Sequence, residues 1–320
     1  MLNDIRMTLC NPSGQSLTEL DGYLDDVTWR LNGIGVANLS ILYNAPKMQI
    51  GQLIVVEFAT GLPMFAGVID YPLQRRADAL GIRVNSGERL LSSRRTTANY
   101  SVSGTRGGIM SAVLNAANST HPTGLTLGSA ASYGESLSRV YSREMLLDIA
   151  NELADTQDYA VIPRFDGSQL TMEFHWYQQR GIDRREAVLL TPDTNSVRAD
   201  VQGPIRNYII AVGDGITTTA TDAASALDHG RREHVIYFSD VDDEGVLQDL
   251  ANQYLSKWSR GGHRLTLSAL APSDAYDVGD IVSLETFMDK GAWALDIPVR
   301  IIARSWAPGS ACTLEVEEWV

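Results

Sequence analysis

Apolar and polar residues alternate along this chain in a pattern that occurs twice. Each copy opens with an apolar residue, a glycine and a polar residue, in Ile50-Gly51-Gln52 and in Val278-Gly279-Asp280. A strand-like run follows, then a run opened by proline, and then a third run after a polar turn. Runs rich in valine and isoleucine and bounded by glycine, proline and aspartate are typical of antiparallel strands. The runs cover residues 50–58, 63–69 and 80–84 in the first copy, and residues 278–285, 298–304 and 312–316 in the second.

Repetition of a whole three-strand unit predicts two related β-domains in one chain. The spacings differ between the copies, so two unrelated meanders remain the alternative. Before the first copy, residues 27–31 and 37–43 alternate on either side of an Asn32-Gly33 step, which favours a hairpin. The sequence therefore predicts an all-β first domain of five or six strands over residues 1–93.

Residues 94–203 have a different pattern, which predicts a small α+β insert. Helical spacing of apolar residues predicts helices over residues 107–118 and 143–156. A hairpin is predicted over residues 159–176, because two alternating runs flank an Asp-Gly turn.

From residue 204 the pattern returns to strands, which predicts a second β-barrel-like domain over residues 204–320. One helix is predicted over residues 243–259, and the small polar segment 217–230 is expected to be an exposed loop. The predicted fold class is mainly β with an α+β insert, in which two related β-barrel-like domains flank a small α+β domain.

Composition agrees with a globular protein. At 320 residues, with 44% hydrophobic and 20% charged residues, the chain can form two or three domains with real cores. No apolar run approaches the roughly 18 residues of a membrane span. Residues 1–6 lack the features of a signal peptide, so we expect synthesis in a cytoplasm without export. Cys10 and Cys312 are expected to be small, partly buried hydrophobes and not a disulfide.

Negative charge is concentrated in the last third of the chain. Residues 201–320 hold 9 basic and 18 acidic side chains, and so contribute −9 to the net charge of −13. Such a surface repels phosphate backbones, which argues against tight binding of nucleic acid. Weak repulsion of phosphate is compatible with the wall of a channel through which DNA passes.

Two clusters of polar residues have the composition of possible metal sites. Asp240 to Gly245 matches the first half of an EF-hand loop, but Ala251 stands where the bidentate glutamate is needed, which favours a helix N-terminus. His229 and His234 lie near two arginines without an acidic or thiol ligand at suitable spacing, which favours a solvated turn.

The chain shows no motif of a known enzyme class. A dinucleotide fingerprint, a nucleophile elbow, a zinc-protease helix and a phosphate-binding loop are all missing from the sequence. We therefore predict no catalytic residues, no cofactor and no metal.

The order of elements resembles that of a known family. The chain is similar to the baseplate hub or tail-hub proteins of tailed bacteriophages, which include the T-even phage hub and the hub portion of type VI secretion spike proteins. The resemblance spans nearly the whole chain and is one of pattern. It rests on residues 29–35, the strand-opening Gly51 and Gly279, residues 141–146 leading to 159–161, and residues 205–208.

The resemblance implies a structural protein of the virion tail tip or baseplate, assembled in the host cytoplasm. Three chains would form a homotrimeric ring of six β-domains with pseudo-sixfold symmetry. The ring would join a hexameric tail tube or distal tail protein to a central spike or tail-fibre protein, with DNA present only in transit and no stable membrane association. No fused lysozyme or peptidase segment is expected. Structural or interfacial roles are expected for Gly51, Glu57, Gly67, Gly279, Asp280 and Glu285.

Three alternatives to a hub remain open. A hexameric tail-tube or distal-tail ring protein would differ in its oligomer mass. A tail-tip cell-wall hydrolase would act on peptidoglycan. A carbohydrate-binding module would need a cluster of exposed aromatic residues, which the spacing of the six tryptophans does not suggest.

Overall fold

The structure is a computed structural model that describes most of the chain. The described residues are 5–42, 47–59, 62–75, 79–130, 133–134, 136–154, 157–186, 189–190, 197–201, 205–238, 241–259, 263–269, 276–288, 293–310 and 312–319. None of the helices in these ranges is long and apolar enough to cross a membrane.

The described chain contains strands β1 to β21, helices α1 to α4 and one 3-10 helix. The strands are β1 (Ile5–Cys10), β2 (Ser16–Glu19), β3 (Gly22–Arg30), β4 (Val36–Leu42), β5 (Leu53–Phe58), β6 (Phe65–Arg75), β7 (Ala79–Ser86), β8 (Tyr100–Gly104), β9 (Thr126–Ala130), β10 (Leu137–Tyr141), β11 (Asp158–Phe165), β12 (Leu170–Tyr177), β13 (Leu189–Leu190), β14 (Val197–Val201), β15 (Tyr208–Val212), β16 (Thr217–Thr221), β17 (Glu233–Tyr237), β18 (His263–Ala269), β19 (Ile281–Met288), β20 (Trp293–Trp306) and β21 (Cys312–Glu318). The helices are the 3-10 helix (Gly87–Ser93), α1 (Arg106–Thr120), α2 (Leu146–Leu153), α3 (Ala223–His229) and α4 (Glu244–Trp258).

Thirteen of these strands form one continuous sheet that contains two groups of five with the same strand order. We call β3-β4-β7-β6-β5 the first β unit and β14-β18-β21-β20-β19 the second β unit. All neighbours within each unit are antiparallel. The registers also agree, because Ile69 pairs with Val84 in the first unit and Ile301 pairs with Val316 in the second.

The two β units are joined edge to edge by their backbones. Strand β20 pairs antiparallel with β3 over four residue pairs, beyond the point where its pairing with β19 ends. The Thr28 and Ser305 hydroxyls are 2.8 Å apart across this seam, and the Arg304 guanidinium lies 5.1 Å from the centre of the Trp29 ring. Both backbone and side chains therefore contribute to the contact.

The first four residues of β5, Leu53 to Val56, are buried on both faces of the sheet, which explains their continuous apolar sequence. Leu53 and Val55 belong to the core that the first β unit shares with the insert. Ile54 and Val56 point to the opposite face and belong to the core of the first β unit itself. The first β unit and the insert are thus packed through a common strand.

The insert unit, which we define as residues 87–177, packs α1 and α2 against small sheets. Its centre contains stacked rings, with the Tyr159 ring 5.8 Å from Phe174 and 6.1 Å from Trp176. Both predicted helices are present, but α2 begins at Leu146. Arg143 has a left-handed φ of 59°, so it cannot belong to the first turn of a right-handed helix.

Residues 205–258 form a separate small unit with its own core, which the sequence analysis did not predict. Strands β16, β15 and β17 make a three-stranded sheet, and α4 packs against β15 and β16. The small unit lies between β14 and β18 in the chain, where the first β unit has only the short β3–β4 hairpin. The second β unit therefore has a domain in place of a hairpin turn.

Two details of the sequence analysis are wrong in this region. Segment 217–230 is not a loop: it forms β16, whose Ala220 is buried, and α3, whose N-terminus is capped by the Asp222 side chain. The described residues of the predicted second domain, 204–320, form two helices where one was predicted, and both belong to the small unit. Strand β14, which lies inside the predicted insert, pairs with β18.

The predicted fold class, mainly β with small α+β parts, is confirmed by the structure.

Candidate functional site: a turn repeated in both β units

The turns predicted to open the repeated strands have the same backbone conformation. Gly51 has a φ of +89° and Gly279 a φ of +98°, a region that glycine adopts freely and other residues rarely do. In both turns the residue after the glycine donates its N–H to the carbonyl three positions earlier, as in a type II turn with glycine in the third position. These bonds run from Gln52 to Gln49 and from Asp280 to Asp277, each at 3.2 Å.

Side-chain and cross-strand bonds repeat as well. The Gln52 Oε1 accepts the Gln49 N–H at 2.7 Å, and the Asp280 Oδ2 accepts the Asp277 N–H at 3.0 Å. Each turn glycine donates its N–H across to an isoleucine carbonyl on the next strand. The acceptors are Ile69 for Gly51, at 3.1 Å, and Ile301 for Gly279, at 2.7 Å. The two turns are one structural element built from different side chains.

The predicted Glu57 and Glu285 stand six residues after the two glycines, at equivalent positions in β5 and β19. The backbone of Glu57 pairs with that of Arg6 in β1. The Glu57 Oε2 atom is buried and has no hydrogen-bond partner among the described residues. The backbone of Glu285 pairs with Asp296, while its side chain lies outside the described residues. An interfacial role for either carboxylate stays a prediction.

Gly67 is needed because β6 lies very close to the neighbouring strand β7 at this position. A Cβ atom at this position would lie 2.0 Å from the carbonyl oxygen of Asn85, and backbone cannot move aside as a side chain can. The equivalent residue in the second β unit is Val299, because it has the same place in the β20–β21 pairing as Gly67 has in the β6–β7 pairing. Gly67 therefore has a local packing role that the second unit does not repeat.

The second turn is covered by the chain that leaves the insert unit. A Cβ atom on Gly279 would lie 2.6 Å from the Arg180 carbonyl oxygen, and one on Gly181 would lie 2.1 Å from the Gly279 carbonyl carbon. Asp280, only 1% exposed, accepts the Ile182 N–H on Oδ1 at 2.9 Å, and the Arg184 Nε lies 3.1 Å from its Oδ2. The predicted Gly279 and Asp280 are thus parts of an internal contact.

A buried ion pair next to this turn joins the insert unit to both β units. Asp158 of the insert unit and Arg300 of the second β unit are bonded to each other, and both are almost fully buried. Asp158 also accepts the Asn32 Nδ2–H at 2.9 Å, and Asn32 accepts the Tyr159 N–H at 2.9 Å. Removal of one member of such a pair leaves a buried charge without its partner, which is usually costly.

The sequence analysis identified Asn32 only as a turn residue and did not single out Asp158 or Arg300. A charged residue inside the apolar run 298–303 was the available signal for Arg300. Its partner could not be predicted, because the two residues are 142 positions apart.

Glu88 is a second buried carboxylate between the first β unit and the insert unit. It accepts the Val161 N–H at 2.9 Å and the Ser86 hydroxyl, which in turn accepts the Gly35 N–H at 2.8 Å. It lines a small cavity of about 40 Å³ beside Trp29, Phe65 and Arg180. Burial raises the pKa of Glu88 above its ordinary value, and the Ser86 and Val161 hydrogen bonds oppose this effect less strongly.

The other polar clusters have structural partners. Asp243 caps α4 by accepting the Val246 N–H at 2.9 Å, which agrees with a helix N-terminus in place of a calcium loop. His234 packs against Tyr254 and lies 3.0 Å from Arg206. Burial lowers the pKa of His234, and the Arg206 charge lowers it further. No group of three metal-ligating residues occurs within the described ranges. Cys10 and Cys312 are free thiols and are buried.

Comparison with known proteins identifies solved structures with a similar fold. No known family matches the sequence, and no curated protein is similar to it in sequence. Among solved structures, it is similar to prophage tail protein gp18 from Listeria monocytogenes EGD-e, at 14% identity and a TM-score of 0.63, over 98% of this chain and 94% of that one. The 43 kDa tail protein of prophage MuSo2 from Shewanella oneidensis matches at 13% identity and a TM-score of 0.62, over 98% and 97% of the two chains.

A third similar structure is the E. coli c3393 protein, a component of the type VI secretion system with structural similarity to the T4 bacteriophage tail proteins gp27 and gp5. It matches at 13% identity and a TM-score of 0.53, over 93% of this chain and 73% of that one. At these identities the likeness concerns the fold. The chain has the fold of these phage tail proteins, and the resemblance inferred from the sequence is confirmed at the level of the fold.

The two turn glycines provide a matched pair of substitutions. Gly51→Ala is expected to lower the free energy of unfolding by about 1–2 kcal/mol, because alanine is strained at positive φ. Gly279→Ala should cost a further 1–3 kcal/mol, about the range for overpacking, since its Cβ atom meets the Arg180 backbone. Urea unfolding of both variants measures the difference. Equal losses of unfolding free energy in the two variants would contradict the finding that backbone covers Gly279 more closely than Gly51.

Glu88 makes stability depend on pH with a defined sign. Because its pKa is raised in the folded state, folding favours the protonated acid, and this contribution to stability is lost as pH rises from about 4.5 through the raised pKa. Glu88→Gln removes the titration and keeps an acceptor for the Val161 N–H. The free energy of unfolding of the variant, relative to the native protein, should therefore rise with pH across this range.

The matched control for Glu88 is Glu144→Gln at an exposed position, which should track the native protein at every pH. A Glu88→Gln profile parallel to that of the native protein between pH 4.5 and 8 would contradict a raised pKa at Glu88.

Proposed function

We propose that this chain is the structural hub of a phage tail tip or baseplate, or of a related injection device. In this proposal three chains form a ring with pseudo-sixfold symmetry, which joins the hexameric tail tube or distal tail protein to a central spike or fibre. The chain acts as a virion component assembled in the host cytoplasm, and without an enzymatic activity of its own.

The observation that supports this most directly is the seam between β20 and β3. Because the two β units have the same strand order, the same seam can form a second time between chains. The partners would be β6, which is equivalent to β20, and β14, which is equivalent to β3. Strand β14 ends the described sheet and pairs only with β18 there. An unpaired sheet edge favours pairing with another chain.

Repetition of this seam would close a ring without new kinds of contact. Each chain would supply two β units and one internal seam, and three chains would add three intermolecular seams. Six near-equivalent units could then meet a hexameric tube, which resolves the mismatch between threefold and sixfold symmetry. The net charge of −13 is compatible with DNA that passes through the ring without binding.

The similar structures support the choice of this class over an enzyme. Two are described as phage tail proteins and one as a type VI secretion component with likeness to tail proteins. A hexameric tail-tube or distal-tail ring protein is the second candidate, since its chain would also expose strand edges.

The direction of the β14 backbone allows a specific test of ring closure. The Leu31 N–H donates across the seam to the Ile302 carbonyl at 2.8 Å, so by alternation the Val27 N–H also points toward β20. The strand pairings within each unit make Ala199 the equivalent of Val27. The Ala199 N–H should therefore point away from β18 and toward the neighbouring chain.

The native protein is expected to have a solution mass of roughly 105 kDa, three times the 35.0 kDa of one chain. Ala199→Pro removes one outward N–H from an edge strand, a position where proline is tolerated, and should shift the mass toward that of one chain. Light scattering coupled to size exclusion measures both. Ala199→Val, which keeps the N–H, is the control and should remain trimeric.

A native mass near six chains would favour the hexameric ring protein. A native mass of one chain, or a trimer that Ala199→Pro leaves intact, would contradict closure through β14.

A further inference from the structure

The two equivalent turns differ sharply in what covers them. Val278 of the second turn is fully buried, and a segment of backbone from residues 180–182 lies against Gly279. In the first turn the equivalent Ile50 is 57% exposed, and no described residue lies within 4 Å of the position where a Gly51 Cβ atom would be. The first turn therefore presents an apolar side chain and an open backbone surface where its counterpart is covered.

The rest of the strand next to the first turn already has a partner. Strand β1 pairs with β5 from Ile5 opposite Phe58 down to Cys10 opposite Leu53. After Cys10 the chain turns to the insert unit, where the Ser16 N–H donates to Ser168. The uncovered surface is thus the turn itself, residues 49–52, and we call it the open turn.

The covering of the second turn defines what kind of segment fits. It is an extended backbone with a glycine at the crossing, since a Cβ atom on Gly181 would collide with the Gly279 carbonyl carbon. Ile182 donates its N–H to Asp280 Oδ1 at 2.9 Å, and its side chain is 61% exposed, so the contact depends chiefly on backbone.

The open turn offers the opposite hydrogen-bonding group. Gln52 stands where the second turn has Asp280, and its Oε1 is already bonded to the Gln49 N–H. Its second polar atom is an amide nitrogen, which donates hydrogen bonds and cannot accept them. Within the described chain this nitrogen has no acceptor. The occupant should therefore place a carbonyl oxygen where Ile182 places an N–H.

In a second copy of this chain, the segment that matches the covering of the second turn is already in use. Its own residues 180–182 lie on its own second turn, held there by Asp280 and by the Arg300 Nη2, which is 3.1 Å from the Arg180 carbonyl oxygen. The ring seams of the proposed trimer use β6 and β14 instead. These contacts favour an occupant from another polypeptide.

We propose that the open turn docks an extended segment of a different tail polypeptide, with glycine at the crossing and a backbone carbonyl bonded to Gln52 Nε2. In the trimer this gives three equal docking sites, one for each chain. The inference rests on the proposed function for the identity of the partner, and on the two turns alone for the shape and chemistry of the surface.

The test uses tail particles that contain the full chain. Ile50→Asp should keep the unfolding midpoint within about 2 °C of the native value, as expected of an exposed position, and should keep the native oligomer mass. Incorporation of the variant into particles should fall at least about tenfold, since a charge replaces the apolar contact. Leu227→Asp, at an apolar residue that is 86% exposed, is the matched control and should be incorporated normally.

A photoreactive benzoylphenylalanine at position 50 identifies the occupant by mass spectrometry of crosslinked particles. A crosslink to a glycine-containing segment of another tail polypeptide is expected, and the same probe at position 227 should not give it. A crosslink to a second copy of this chain, a lower oligomer mass for Ile50→Asp, or its normal incorporation would each overturn the proposal. The mass of the native protein tests the trimer independently, so the two proposals can fail separately.

Discussion

The antiparallel pairing of β20 with β3 is the contact on which the arrangement of this molecule depends. It places two five-stranded units side by side in one sheet, and it does so mainly through backbone hydrogen bonds, which constrain sequence only weakly. Such a seam can therefore be repeated between units whose side chains have diverged. In the ring proposed above, β14, which ends the described sheet, would pair with β6 of another chain.

The repeated turn illustrates how two copies of one backbone acquire different roles. Positive φ and the bond to the next strand require glycine at both positions, so Gly51 and Gly279 have been kept alike. Around them the side chains differ. The Asp280 carboxylate holds the segment that follows the insert unit, whereas the Gln52 side chain accepts the Gln49 N–H of its own turn. The insert unit itself is joined to the two β units by other polar contacts, at the Asp158–Arg300 pair and at Glu88.

Much of the fold could be predicted from periodicity, because strands and amphipathic helices leave local signals. The strands of both copies, the turn glycines and helices α1 and α4 are of this kind. The small unit was missed since its strand β16 consists largely of threonine, which resembles a polar loop in sequence although its β-branched side chain suits a strand. The pair of Asp158 and Arg300 joins residues remote in sequence, and a single sequence gives no sign of such a partner. A structural or interfacial role is predicted for Gly67, but the close approach of the Asn85 carbonyl oxygen is visible only in the structure.

A cryo-electron microscopy reconstruction of the purified assembly, computed without imposed symmetry, tests the central claim most directly. The account predicts six similar β units around a channel. The seams should alternate between β20–β3 within a chain and β6–β14 between chains. Three insert units should lie at equivalent positions around the ring. A ring in which neighbouring chains meet through other surfaces, so that the two β units of a chain are not related by rotation about the channel axis, would contradict it.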